Sequence, residues 1–190
     1  MKDLIQDKVL VVFDKEIESL MNSINYEELF DANTFNDDVY QEQSKIKEQH
    51  PFEWAVLNNF WILVSDKYIK DTFPNHSLEV AEIKLAEGYS KSNYKWHTDK
   101  DGALDADEKP TCDQDIIVLY YFNDTDFGPL CYKDINEDDS LQVKIFPKKG
   151  MTVILNEYHP GLVHKVEKYD LDLGRRFTAR VSFRIKDKLS

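Results

Sequence analysis

The sequence predicts an α+β fold that is mainly β: a two-sheet jelly roll, or double-stranded β-helix, buttressed by N-terminal helices. Three observations predict it. Residues 15–24 and 52–73 carry apolar side chains at helical spacing, the pattern turns strand-like from residue 77 onward, and strand-length apolar runs bounded by turn residues then follow one another to the C-terminus. Helices first and strands afterwards suggest a helical layer set against a closed pair of sheets. We expect one domain over residues 1–190, with 1–76 as a helical support region and 77–186 as the jelly-roll core. The length suits a single core, and no internal repeat divides it.

From the N-terminus, the β-branched run 9–13 suits a strand, and Asp14 stands where it can cap the helix that follows. In that helix Ile17, Leu20, Met21 and Ile24 share one face. Residues 31–50 are dominated by Asn, Asp, Gln and Glu, so we expect a long surface loop with one helical turn at most. Pro51 suits the first position of the longest helix, 52–73, in which Trp54, Leu57, Phe60, Trp61, Val64 and Tyr68 form a stripe that packs on a sheet. Strands are expected at 78–86, 93–98, 115–122, 129–133, 141–146, 151–156, 162–168 and 176–185. The connection 100–114 is long and carries Asp101, Asp105, Asp107, Glu108 and Asp113, the makings of a lid or a binding loop. Its opening, Asp99-Lys100-Asp101-Gly102, lacks the further acidic ligands of a calcium loop.

Charge and composition exclude several functions. A formal net charge of -12 disfavours nucleic acid, whose binding depends on Lys and Arg neutralising phosphates. No apolar stretch reaches the length of a membrane span, and charged residues interrupt the first thirteen, so an intracellular, cytoplasmic protein is expected. Cys112 and Cys131 make no disulfide framework and suit small packing roles.

The chemistry centres on His97-Thr98-Asp99, an imidazole and a carboxylate two residues apart at the end of an apolar run. A non-haem Fe(II) oxygenase needs two imidazoles and one carboxylate on one face of an octahedron, with the other face open to cosubstrate and O2. His164, inside the strand-like run Leu162-Val163-His164-Lys165-Val166, is a better second imidazole than His159, which precedes Pro160-Gly161. A dicarboxylate cosubstrate running into the barrel would need a fixed cation, for which the bidentate guanidinium is suited. Alternation along the last strand sets Arg176, Thr178, Arg180, Ser182 and Arg184 on the face opposite Phe177, Ala179, Val181, Phe183 and Ile185.

These pieces, in this order, resemble the 2-oxoglutarate and Fe(II)-dependent dioxygenases, and among them the prolyl 4-hydroxylase-like branch, over roughly Val80 to Ile185. The residues that carry the resemblance are Gly88 to Tyr94 leading to His97-Thr98-Asp99, Tyr120-Tyr121-Phe122-Asn123, Phe127-Gly128-Pro129-Leu130, Pro147-Lys148-Lys149-Gly150, His164-Lys165-Val166 and Gly174-Arg175-Arg176-Phe177-Thr178. The resemblance implies His97, Asp99 and His164 as iron ligands, Arg176 as the partner of the far carboxylate of 2-oxoglutarate and Tyr121 as its hydrogen-bond partner. Arg180 is the alternative anchor, because the turn between His164 and Arg176 is longer than the family's, and Ala86 stands where a tyrosine is often found. The implied cofactors are Fe(II), 2-oxoglutarate and O2, with ascorbate as an auxiliary reductant. The implied reaction couples oxidative decarboxylation of 2-oxoglutarate to hydroxylation of an unactivated C–H bond; the carboxylate at Asp99 favours this over halogenation.

The substrate expected by branch resemblance is a prolyl residue of a peptide or protein, with a free amino acid or small metabolite as the alternative. The acidic loop, acting as a lid, would favour a cationic target. Two rival readings differ in kind: a non-catalytic jelly-roll binding module, and a cupin-type metal enzyme, which would want His-x-His where this chain has His-x-Asp. Residue types alone leave the oligomeric state open.

Overall fold

In a computed structural model of the chain, residues 8–31, 40–41, 43–88, 95–99, 102–103, 114–169 and 173–187 are described. The chain opens with strand β1 (Val9–Phe13) and helix α1 (Lys15–Met21). The Asp14 carboxylate accepts the backbone N–H groups of Glu16 at 2.8 Å and Ile17 at 3.3 Å, which satisfies donors that the first helical turn leaves free. The helix ends earlier than its apolar spacing suggests, but Ile17, Met21 and Ile24 are all buried. Next come α2 (Tyr26–Asp31), β2 (Tyr40–Gln41) and α3 (Gln43–Gln49). The loop expected over 31–50 is thus corrected where it is described. Tyr40 and Gln41 pair with Ala86 and Leu85, and the single apolar residue Ile46, wholly buried, seats α3 in the core.

Helix α4 (Pro51–Val64) begins at the proline as expected, but the regular α-helix stops at Val64 rather than at 73. It widens into a π-type turn, Ser65–Ile69, and closes with a tight turn, Lys70–Thr72. In this geometry Lys67 lies 2.9 Å from the Asp14 carboxylate, and the Tyr68 hydroxyl donates to it at 2.6 Å. Asp14 therefore caps α1 and ties it to the end of α4.

The remaining described strands are β3 (His76–Gly88), β4 (His97–Thr98), β5 (Gly102–Ala103), β6 (Ile116–Tyr121), β7 (Leu130–Asp134), β8 (Val143–Ile145), β9 (Met151–Asn156), β10 (Leu162–Val166) and β11 (Arg176–Asp187). They form two antiparallel sheets, a larger one in the order β1-β9-β6-β11-β3-β2 and a smaller one in the order β5-β4-β10-β7-β8. The chain passes repeatedly between them, from β3 to β4, β6 to β7, β8 to β9, β9 to β10 and β10 to β11. This is the jelly roll expected from the sequence. Residues 93, 94, 100, 101 and 104–113, which the strand 93–98 and the acidic loop would include, and Cys112 with them, lie outside the described residues.

The larger sheet is covered on both faces. Its outer face packs Ile116, Val118, Tyr120, Ile154, Phe177, Ala179, Val181 and Phe183 against the helices, where Leu57, Phe60 and Val64 of α4 are fully buried. Its inner face turns Ile117, Tyr121, Met151, Val153 and Leu155 toward Leu130 and Leu162 of the smaller sheet. The period of two in each strand produces this division, and burial on both faces is why β6 and the centre of β9, Val153 to Leu155, read as continuous apolar runs. Among the described residues no helix is long and apolar enough to cross a membrane.

Two outcomes follow from this packing. Phe60 is fully buried and meets the Tyr120 ring edge-on at 5.9 Å, so Phe60→Ala will lower stability by about 3–5 kcal/mol in urea denaturation. At Asp14 burial opposes the charged form, but the bonds from Tyr68, Lys67 and the backbone of Ile17 and Glu16 outweigh it and draw the pKa from 3.8 down to about 2. Since the folded value lies below the unfolded one, this contribution is full above about pH 4 and is lost as the pH falls through 2. After allowance for solvent screening it amounts to about 1 kcal/mol. The denaturation midpoint of the wild type will drop across that window, and Asp14→Ala, about 1–2 kcal/mol less stable at neutral pH, will show a shallower drop.

Candidate metal and cosubstrate site

His97, Asp99 and His164 come together at one end of the space between the sheets. Their backbone placement is set by pairing: β10 runs antiparallel to β4 with His164 opposite His97, and β5 holds β4 from its other side through His97 with Ala103 and Thr98 with Gly102. The short strand β4 is also held from outside. Trp96 donates its indole N–H to Asp139 at 3.2 Å and lies beneath the Lys165 ammonium, 4.2 Å from the ring centre. On adjacent, oppositely directed strands the two imidazoles approach to 4.3 Å between ring centres.

One potential ligand atom from each of the three residues lies within 4.8 Å of the others. His97 Nε2 is 3.8 Å from Asp99 Oδ1, and His164 Nε2 is 3.5 Å from Asp99 Oδ2. Both ring orientations follow from the opposite nitrogen. His97 Nδ1 lies 2.8 Å from the Lys95 carbonyl, which can only accept, so Nδ1 carries the proton and Nε2 offers a lone pair. His164 Nδ1 lies 2.6 Å from Glu157 Oε1, with the same consequence. An ion held at about 2.1 Å by neighbouring octahedral donors sets them about 3 Å apart, so a small inward movement of these side chains completes the set. Two imidazoles and a carboxylate suit a divalent first-row ion such as Fe(II) better than calcium or magnesium, which prefer all-oxygen sites.

Charge at Asp99 and His97 supports ligation. Burial alone would raise the Asp99 carboxyl, but Arg180, then His164 and His97, outweigh it and hold Asp99 below its ordinary value. Burial, reinforced by the nearby His164, keeps the His97 ring neutral, as a ligand must be. At His164 burial works against the charged ring; the bond to Glu157 and the charge of Asp99 outweigh it and raise its value.

The three residues form one end of a cavity of about 160 Å³. Ile117, Leu119, Leu130 and Val166 give it apolar walls, while Tyr121, Arg176, Thr178 and Arg180 bring polar groups into it. The two arginines that the sequence left as alternatives differ in their partners. Arg180 lies 2.8 Å from Asp99 Oδ2 and donates to Gln114 Oε1 at 2.6 Å, so it is committed at the His-Asp-His end. Arg176, four residues or about 13 Å away along β11, donates to the Gly128 carbonyl at 2.8 Å, and its buried Nε has no hydrogen-bond partner among the described residues. Tyr121 is its neighbour: burial pushes the Tyr121 hydroxyl upward while the Arg176 charge opposes that shift.

Gly128 keeps its carbonyl on Arg176 by adopting φ +57°, and a Cβ there would come within 2.5 Å of the Tyr169 ring. His159 is not part of the cluster; its Nδ1 lies against the Pro160 carbonyl at 3.0 Å. Glu157 is a site residue that the sequence reading missed. It sits in the turn between β9 and β10 with no periodic signal, and only its distance of seven residues before His164 could have pointed to it.

No protein-family model matches the sequence, and no curated protein matches it. Solved structures do match. A prolyl 4-hydroxylase from Phytophthora capsici aligns with a TM-score of 0.66 at 14% identity, covering 95% of this chain and 59% of that one. The chain therefore spans less than two thirds of that protein's length. A prolyl hydroxylase from Trichoplax adhaerens, in complex with a hypoxia inducible factor oxygen degradation domain peptide fragment, aligns with a TM-score of 0.67 at 12% identity, covering 95% and 84%. HygX from Streptomyces hygroscopicus, with nickel and 2-oxoglutarate bound, aligns with a TM-score of 0.59 at 16% identity, covering 93% and 82%. The chain has the jelly-roll fold of the prolyl 4-hydroxylases.

Proposed function

We propose that this chain is an Fe(II)- and 2-oxoglutarate-dependent dioxygenase that hydroxylates an unactivated C–H bond. The observation that carries the reading is the convergence of His97, Asp99 and His164 within 4.8 Å at one end of a cavity whose lining also includes Arg176 and Tyr121. A binding module without iron would have no use for two imidazoles turned toward a half-buried carboxylate. In this reading His97, Asp99 and His164 are the iron ligands, Arg176 pairs with the far carboxylate of 2-oxoglutarate, and Tyr121 donates a hydrogen bond to it. Residues 77–186 are the catalytic core and 1–76 its support. A cytoplasmic location completes the proposal, in keeping with a chain of only two cysteines.

When bound, the iron supplies the oxidising chemistry with O2 and 2-oxoglutarate. The chain's own groups bind and orient. The guanidinium of Arg176 compensates a buried negative charge, and the apolar walls of Ile117, Leu119 and Leu130 keep water from the space between the charged ends. Asp99 remains anionic under the influence of Arg180 and offers an oxygen ligand. A prolyl residue in a peptide or protein is the substrate class we propose, supported by the likeness in fold to the peptide-bound Trichoplax adhaerens enzyme.

Anaerobic titration of the Fe(II)-loaded chain with 2-oxoglutarate tests the reading. A weak visible charge-transfer band will appear in the wild type and be lost in His164→Ala; its absence from folded, iron-replete wild type rejects the oxygenase. Arg176→Ala will keep Fe(II) binding and weaken 2-oxoglutarate by about a hundredfold, as expected when one partner of a buried charge pair is removed. Unchanged affinity in Arg176→Ala would transfer the anchoring role to Arg180. Succinate release with prolyl peptides, compared with free proline, then identifies the substrate.

A further inference from the structure

Glu157 is not among the residues that line the cavity, yet its side chain is 0% exposed. A carboxylate taken out of water is costly unless its oxygens are well satisfied. Here they are divided between two segments of the chain. Oε1 lies 2.6 Å from His164 Nδ1 in an ion-pair contact, and Oε2 accepts the backbone N–H of Asp99 at 2.6 Å. One side chain thus links the ring on β10 to the residue that leaves β4, and the turn that carries it is itself tied down. Tyr158 N–H donates to the Asp115 carbonyl at 2.8 Å, and His159 N–H to that of Asn156 at 3.2 Å.

We propose that Glu157 is a positioning residue for the metal: it fixes the tautomer and rotation of the His164 ring and the approach of Asp99, so that the ligand set is held close to its bound arrangement before the ion arrives. The proposal rests on the reading of His97, Asp99 and His164 as metal ligands. With Nδ1–H held by the carboxylate, the Nε2 lone pair of His164 has one direction left, toward Asp99 at 3.5 Å. The negative charge behind the ring also makes Nε2 a stronger donor to a cation. Two N–H donors converge on Glu157, and only a carboxylate offers an acceptor to each. A glutamine of the same shape accepts from one and must turn its own amide hydrogens on the other. Replacement by glutamine therefore keeps the volume and removes the function.

The test uses the full chain with Co(II), whose visible absorption reports both occupancy and geometry. Wild type, Glu157→Gln and His164→Ala are titrated, and the melting temperature of each metal-free protein is recorded. Glu157→Gln is expected to fold, to bind Co(II) about 10–100-fold more weakly than wild type, and to show an altered absorption envelope at saturation. Wild-type affinity and envelope in Glu157→Gln would overturn the positioning role and leave the metal site standing. Failure of wild type to bind Co(II) in a His164-dependent way would overturn the metal reading and this inference with it. A measurement on the wild type alone guards against a variant that does not fold. In the Zn(II)-loaded protein, nitrogen-15 correlation spectra should show His164 bound through Nε2, with a downfield, slowly exchanging proton on Nδ1. Coordination through Nδ1, or a fast-exchanging proton there, would overturn the proposal.

Discussion

The site depends on the antiparallel register of β10 against β4, which sets His164 opposite His97. A slip of one residue would turn His164 to the outer face and bring Lys165 inward, since side chains alternate along a strand. β4 is only two residues long and could not hold that register by its own ladder. The register is held instead by its surroundings. β10 pairs along its whole length with β7, Trp96 is held on the outer face by Asp139 and Lys165, and Glu157 reaches across to the Asp99 backbone. The segment that carries His97 and Asp99 is thus positioned mainly by what lies on either side of it.

Electrostatics at the site run against the character of the whole chain. The protein carries a net charge of -12, yet the cavity is lined by two arginines and two histidines against a single carboxylate, Asp99. Burial makes each of these charges count, because it removes the water that would screen them. Arg180 answers Asp99 directly, whereas Arg176 bonds only to a backbone carbonyl among its described hydrogen-bond partners, which leaves its charge to be balanced by something else. In the reading proposed above, a dianionic cosubstrate would supply that balance from outside the chain.

Much of this was legible in the sequence, for physical reasons that differ by element. β6 and β9 read as strands because both faces of the larger sheet are buried, and β11 could be divided into two faces because its alternation is strict from Arg176 to Ile185. His97, Asp99 and His164 stood out because few other residue types can ligate a transition-metal ion. Local capping was visible too, in Asp14. What could not be read were contacts that depend on distant chain. The ties of Lys67 and Tyr68 to Asp14 span more than fifty residues, the pairing of Tyr40 and Gln41 with β3 follows from tertiary context, and the regular helix ends at Val64 within an unbroken apolar pattern. Glu157 is one more acidic residue in a chain with 36 of them, and its burial is the first sign of its role.

The division of β11 has a consequence for how such a chain can diverge. Phe177, Ala179, Val181 and Phe183 answer to the helices, while Arg176, Thr178 and Arg180 answer to the cavity. The backbone between them is common, but one set faces the helical layer and the other the cavity, so selection can act on one without disturbing the other. A lineage could exchange its helical layer and keep its chemistry, or retune its cavity and keep its fold. At 12–16% identity with proteins of the same architecture, substitutions can accumulate in both sets so long as the strand between them stays in place.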